Sequence, residues 1–231
     1  MIFHYRGKVD STNTWAKDIH IDNNLHVLYA GYQTSGRGRQ TRKWLSSPYK
    51  NILMSVTHKH INNDFEPWFY GISAAYSIIK VMEEYRIEAY YKWPNDVWTT
   101  RGKICGILPE AIWSNGNIEK IIVGIGLNVN EELFPANIIA TSMYIETGRQ
   151  FDIHTLLRKV SNYYKESLET NKEHILEFLW QHFLWKDKII ILLPDNITGK
   201  AIGLNHDGSL IVCTKKQCIT AKWGEVSIRK I

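Results

Sequence analysis

The run EAYYKWPNDVWTTRGKICGILPEAIWSNGNIEKIIVGIGLNV, residues 88–129, decides the architecture. Within it EAYYKW, KICGIL and EKIIVGIGLNV are short and rich in β-branched and aromatic residues, so each reads as a strand. Turn chemistry at Pro94-Asn95-Asp96 and Asn115-Gly116-Asn117 separates them. Strands joined by such short connections pair antiparallel, with helices on one face, in preference to repeated βαβ crossovers.

Working outward, HVLYAGYQ (residues 26–33) and NILMSVTH (51–58) read as two further strands flanked by polar loops. Over residues 66–84 the apolar side chains Phe69, Ile72, Ala75, Tyr76, Ile79 and Met82 recur at three- and four-residue spacing, which predicts an amphipathic helix whose stripe is core. Residues 153–170 and 172–185 predict two more helices, the first with Leu156, Leu157, Val160 and Tyr164 on one side. The end of the chain changes character. KIIILL, ITGKAIG, SLIVCT, QCITA and EVSIRKI are five short strand candidates broken by Pro194-Asp195-Asn196 and His206-Asp207-Gly208, a turn density that predicts a small β-barrel. A boundary near Lys186 divides a catalytic region, residues 1–186, from a small C-terminal domain, residues 187–231. The fold class is α+β, a mixed and largely antiparallel sheet with helices packed on it. No internal repeat or low-complexity segment interrupts the chain.

A length of 231 residues buries a proper core without staples. Cys105, Cys213 and Cys218 make an odd count with no CxxC pair, which argues against a disulfide framework or zinc ribbon and for a reducing compartment. No run approaches a membrane span and no leader precedes the first strands, so the expectation is a soluble, cytoplasmic protein with no membrane partner. There is no GxxxxGK[ST], HExxH or GxSxG. The net charge of +5 by itself invites a nucleic-acid or phosphate ligand. Arg37, Arg39, Arg42 and Lys43 concentrate four positive charges in seven residues, a distribution that suits a small anion better than a broad binding face. The scattered histidines, including His58 and His60, read as surface residues.

The segment SGRGRQTRKW, residues 35–44, carries the chemistry. Its glycines let the backbone approach a ligand, and its guanidinium forks match phosphate and carboxylate oxygens. Alone it is equally a solvated basic turn or an arginine-glycine segment that binds RNA. Lys92-Trp93-Pro94-Asn95-Asp96 directs a carboxamide and a carboxylate out of a turn, where they can hold a metal-bound nucleotide or accept a proton. Lys103, between Gly102 and an apolar strand containing Gly106, is placed either to neutralise a carboxylate or phosphate in a pocket or to guard a strand edge. Residues 124–130, GIGLNVN, lack the third glycine and following helix of a dinucleotide fingerprint, but offer Asn128 as a polar ligand among apolar neighbours.

Taken in order, Ser11-Thr12-Asn13, Gln33, GRGR with Arg42 and Trp44, KWPND, GKICGIL and GIGLNVN resemble the biotin-protein ligase family over nearly the whole chain. The resemblance implies a sheet akin to lipoate ligases and class II aminoacyl-tRNA synthetases, with ATP, Mg²⁺ and biotin as reactants and a lysine of a biotin carboxyl carrier protein as acceptor. It implies biotin contacts at Ser11, Thr12, Asn13, Gln33, Gly36, Arg37, Gly38, Arg39, Lys103 and Gly106. ATP falls to Arg37, Arg39, Arg42, Trp44, Lys92, Asn95, Asp96, Lys103 and Asn128, with the metal near Asp96 and Asn128. Lys103, Arg37, Arg39 and Asp96 would carry catalysis, and residues 130–142, with Phe134, match a second loop over the adenine. Thr41 stands where the family has glycine. Only ten residues precede Ser11, too few for the DNA-reading domain of regulatory members, so a ligase without DNA binding is expected. Homodimerisation is left open. A lipoate or octanoate ligase and a non-catalytic nucleic-acid-binding module are the alternative readings.

Overall fold

The computed structural model describes residues 1–40, 42–59, 66–222 and 227–230. Seven strands form the main sheet: β1 (Ile2–Val9), β2 (His26–Gln33), β3 (Ile52–Lys59), β4 (Tyr90–Lys92), β5 (Asp96–Trp98), β6 (Lys103–Ser114) and β7 (Asn117–Leu127). They lie in the order β1-β2-β3-β7-β6-β5-β4. Among the described strands only β1 and β2 pair in parallel, and the crossover this requires is the short helix α1 (Thr12–Asp18). The remaining pairs are antiparallel, those among β4, β5, β6 and β7 as the short connections within residues 88–129 predict.

Strand periodicity separates two unlike faces. One face presents Ile52, Met54 and Val56 of β3 with Ile121, Val123, Ile125 and Leu127 of β7, and α2 (Pro67–Glu84) lies against it. The helices α4 (Ile153–Glu169) and α5 (Lys172–Gln181) complete that layer with Leu156, Val160, Ile175 and Leu179. His58 continues the inward parity of β3 and is buried, with its ring centroid 5.0 Å from that of Tyr70, so the surface reading of this histidine is wrong. His60 lies outside the described residues.

The opposite face is nearly stripped of side chains at its centre. Ser55 pairs with Gly124, and Gly106 pairs with Gly126, in the β3-β7-β6 register. Toward β1 the same face carries Leu28, Ala30 and Ile122, covered by Trp15 and Ala16 of α1. The short helix α3 (Met143–Thr147) follows the loop after β7; Ser142 accepts a hydrogen bond from the Ile145 amide at its start, and Gly148 ends it at φ 72°.

A second sheet has the order β11 (Cys218–Ala221), β10 (Leu210–Cys213), β9 (Ile197–Leu204), β8 (Ile189–Leu193), β12 (Ser227–Lys230), all antiparallel. The expected barrel is thus a small antiparallel sheet whose end strands β11 and β12 do not pair with each other among the described residues. Cys213 and Cys218 are opposed in the β10–β11 register and form a disulfide, leaving Cys105 as a buried free thiol. The residue count and spacing gave no sign of this bond. No helix among the described residues is long and apolar enough to cross a membrane.

Lys120 locks α1 onto the sheet. Its buried ammonium donates to the carbonyls of Ala16, Lys17 and Ile19 at 3.2, 3.0 and 2.8 Å, satisfying acceptors that the helix end leaves open. Lys120→Ala is therefore expected to destabilise the fold by about 1–3 kcal/mol. The urea midpoint should fall at unchanged slope; a wild-type midpoint would contradict the assignment.

Candidate active site

Because large side chains are missing from the centre of the second face, a cavity forms there between α1, the basic loop and the β4–β5 turn. Its lining includes the basic residues Arg37, Arg39, Arg42, Lys43, Lys92 and Lys103 and one carboxylate, Asp96. Such an excess of fixed positive charge in a concave site selects an anion.

Lys103 reaches this face through a β-bulge. In the β5–β6 ladder Val97 faces Cys105 while Trp98 faces Lys103, so Ile104 is an extra residue. The slip puts Lys103 on the face opposite Cys105, which strict alternation would forbid. The Lys103 ammonium lies 2.7 Å from Asp96 Oδ1 and 5.5 Å from the centre of the Trp44 ring. The indole fills the glycine trough: a Cβ on Gly126 would lie 2.5 Å from Trp44 Cε2, and one on Gly106 would lie 2.8 Å from Cζ3. Trp44 Nε1 is buried with no hydrogen-bond partner among the described residues.

The basic loop is a small hairpin. Arg37 and Lys43 form an antiparallel bridge, the Gly38 amide donates to the Arg42 carbonyl at 2.7 Å, and the Trp44 amide donates to the Gly36 carbonyl at 2.9 Å. Gly36 is buried at its base and is absent from the cavity wall, whereas Gly38 lines it. Arg39 donates to Asn95 Oδ1 at 3.0 Å, and its partial burial lowers its pKa. Arg37 turns the other way, to Glu110. Thr41 lies outside the described residues.

The first turn of α1 forms the opposite wall. Ser11 is its N-cap residue, and the Thr12 amide donates to Gln33 Oε1 at 2.7 Å. Ser55 Oγ stands 2.8 Å from Thr12 Oγ1 and 2.6 Å from Asn13 Oδ1. Asn13 has room only because residue 124 is glycine, where a Cβ would lie 2.3 Å from Asn13 Oδ1. Lys92 packs its ammonium 4.1 Å over the Trp98 ring, and burial is the chief cause of its lowered pKa. Ile228 of β12 closes one side, so the C-terminal sheet contributes to the wall.

Asn128 is not in the lining. It lies behind Lys103, donating to the Thr141 carbonyl at 2.9 Å, with Oδ1 buried and unpartnered among the described residues. Sequence reasoning missed Ser55 and Glu110. Ser55 is a polar residue at a buried strand position, which is a usable signal; nothing local marks Glu110. No group of three or more His, Cys, Asp or Glu among the described residues is arranged to hold a metal ion. Asp96 alone fits a Mg²⁺ that arrives with phosphates, since that ion commonly takes one or two protein carboxylates and completes its shell from substrate and water.

Residues 7–128 match the Biotin/lipoate A/B protein ligase family. The biotin–[acetyl-CoA-carboxylase] ligase of Mycobacterium tuberculosis is 31% identical over 212 residues, covering 87% of this chain and 77% of that protein. The bifunctional ligase/repressor BirA of Bacillus subtilis is 26% identical over 225 residues, covering 92% of this chain and 69% of that one. Among solved structures, a biotin protein ligase from Aquifex aeolicus in complex with biotin and ATP matches with a TM-score of 0.88 at 32% identity, over 100% of this chain and 99% of that chain.

The glycine trough yields a direct test. Gly126→Ala is expected to expel the Trp44 indole, shifting its N–H resonance in a ¹⁵N–¹H spectrum while the other indole signals hold. An unmoved Trp44 signal would contradict the packing described.

Proposed function

The chain belongs to the Biotin/lipoate A/B protein ligase family, and from that premise we propose that it activates biotin with ATP and transfers it to a lysine of a biotin carboxyl carrier protein. The observation that carries this reading is the Lys103 ammonium, held by Asp96 beneath the Trp44 indole in a cavity rich in cations. An acyl-adenylate is a mixed anhydride of a carboxylate and a phosphate. A site that forms one must gather two anions and shield their repulsion.

In the first step a biotin carboxylate oxygen attacks the α-phosphorus of ATP and the bond to the β-phosphate bridging oxygen breaks, giving biotinyl-5′-AMP and pyrophosphate. No enzyme nucleophile takes part. We assign biotin to the α1 side of the cavity, with Ser11, Thr12, Asn13 and Gln33 as polar contacts and Gly38 admitting close approach, while Gly36 and Gly106 make room for Trp44. ATP is assigned to the side formed by Arg42, Trp44, Lys92, Asn95 and Asp96, with Asn128 supporting Lys103 from behind. Arg37 and Arg39 serve both partners from the loop. Lys103 bonds the oxygens between which charge develops, which is stabilisation by a preorganised cation. Asp96 would hold a Mg²⁺ that arrives with the nucleotide, and that ion would supply neutralisation of phosphate charge.

In the second step the acceptor amine attacks the biotinyl carbonyl carbon, AMP departs, and the amine surrenders a proton. An ammonium with an unperturbed pKa of about 10.4 must first be deprotonated. Once Lys103 turns toward the reacting anions, the Asp96 carboxylate is released from its ion pair and is the group assigned to assist that loss. The chain is further proposed to divide into a catalytic unit, residues 1–186, and a small C-terminal unit, residues 187–231, that walls the cavity through Ile228.

Lys103→Ala is expected to lower biotin-dependent ATP–pyrophosphate exchange by at least about 100-fold; exchange at the wild-type rate would remove the lysine from this role. Arg39→Gly should lower exchange far less than Lys103→Ala does, while biotin appears on unrelated bystander proteins because the adenylate escapes. Labelling that stays confined to the acceptor would contradict a retaining function for the loop.

A further inference from the structure

Glu110 lies on β6 beyond the cavity lining, and its carboxylate joins that strand to α1 and to the basic hairpin. Its Oε2 accepts from Asn13 Nδ2 at 2.6 Å and from Arg37 Nη2 at 2.8 Å, while Oε1 pairs with Lys17 at 3.1 Å. The two Oε2 donors come from the first turn of α1 and from the arm of the basic hairpin. The Glu110 side chain is 22% exposed, and that of Arg37 is 40% exposed.

The carboxylate also decides which way the Asn13 amide faces. An ionised carboxylate only accepts hydrogen bonds, so it binds the Nδ2 end and excludes the Oδ1 end. The Leu108 carbonyl takes the second N–H at 3.1 Å and makes the same choice. Oδ1 is thereby turned toward Ser55 and the cavity wall. Burial pushes the Glu110 pKa up, yet hydrogen bonds from Asn13 and Lys17 and the charges of Arg37 and Lys17 bring it below the usual carboxylate range. The group is ionised at neutral pH.

Building on the proposed ligase reaction, we infer that Glu110 is a positioning residue that fixes the Asn13 amide and tethers the basic hairpin to the central sheet through Arg37. It touches no reacting atom. Its effect on the reaction runs through the seat of the acid substrate and through the fraction of time the hairpin is docked.

The test uses Glu110→Gln in the full chain, with Arg37→Gln as a second variant that cuts the tether without altering β6. Hydrogen–deuterium exchange of the ligand-free proteins is read over residues 36–44 and, as a reference, over β6 and β7. Both variants are expected to raise exchange of the hairpin about fivefold, the scale of losing one partly exposed ion pair, with β6 and β7 unchanged. In biotin-dependent pyrophosphate exchange Glu110→Gln should raise KM for biotin and leave kcat in place. Wild-type hairpin exchange in both variants, or a rise spread equally through β6 and β7, overturns the inference. If wild-type protein shows no biotin-dependent pyrophosphate exchange, the ligase reading falls, and the hairpin measurement still decides the tether.

Discussion

Lys103 faces the cavity only because one extra residue interrupts the β5–β6 ladder, and the site is organised around that interruption. Strict alternation would have sent the ammonium into the apolar layer with Cys105 and Ile107, where a charge is costly without a partner. The bulge redirects it to a face where Asp96, from the adjacent turn, stands 2.7 Å away. The same ladder aligns Asp96 with Gly106, and the next aligns Gly106 with Gly126. Those two glycines create the space for Trp44, and Trp44 closes the hairpin that carries the arginines. One register therefore fixes the lysine, its counter-ion, the indole and the loop.

The hairpin is held at both of its leading arginines by acceptors on different sides of the cavity. Arg39 donates to the Asn95 carboxamide in the β4–β5 turn, and Arg37 to the Glu110 carboxylate beside α1. These contacts offset part of the repulsion among the clustered cations while leaving the cavity electropositive. Attraction of anions to the more exposed of these groups weakens as salt rises, because the screening length is about 8 Å at physiological ionic strength. Lys92 and Arg39 are less open to that screening, since both are partly buried.

Much of the architecture could be read from local pattern. Richness in β-branched and aromatic residues between loops and turns located β2, β3 and β7, and the apolar stripe over residues 66–84 located α2, because these elements supply the shared core. The ordered motifs also converge: Ser11 to Asn13, Gln33, the hairpin, the Lys92–Asp96 turn and Lys103 all line one cavity. What escaped was set by tertiary geometry. At seven residues α1 is too short for a clear periodic signature, and its stability comes from Lys120, more than a hundred residues away. The bulge at Ile104 exists only in the pairing of β5 with β6. Glu110 acquires its meaning from Asn13 and Arg37, which lie 97 and 73 residues away in sequence. His58 looked like a surface residue because its strand was read without the helices that cover it, and the Cys213–Cys218 bond depends on a hairpin register that residue counting does not reveal.

The reaction proposed for this cavity joins the carboxylate of biotin to AMP. ATP–pyrophosphate exchange measured on the purified chain with biotin, with lipoate and with no acid tests it most directly. Exchange that depends on biotin and stays at background with lipoate or no added acid is the expected result. Exchange supported by lipoate in place of biotin, or none with either acid, would contradict it.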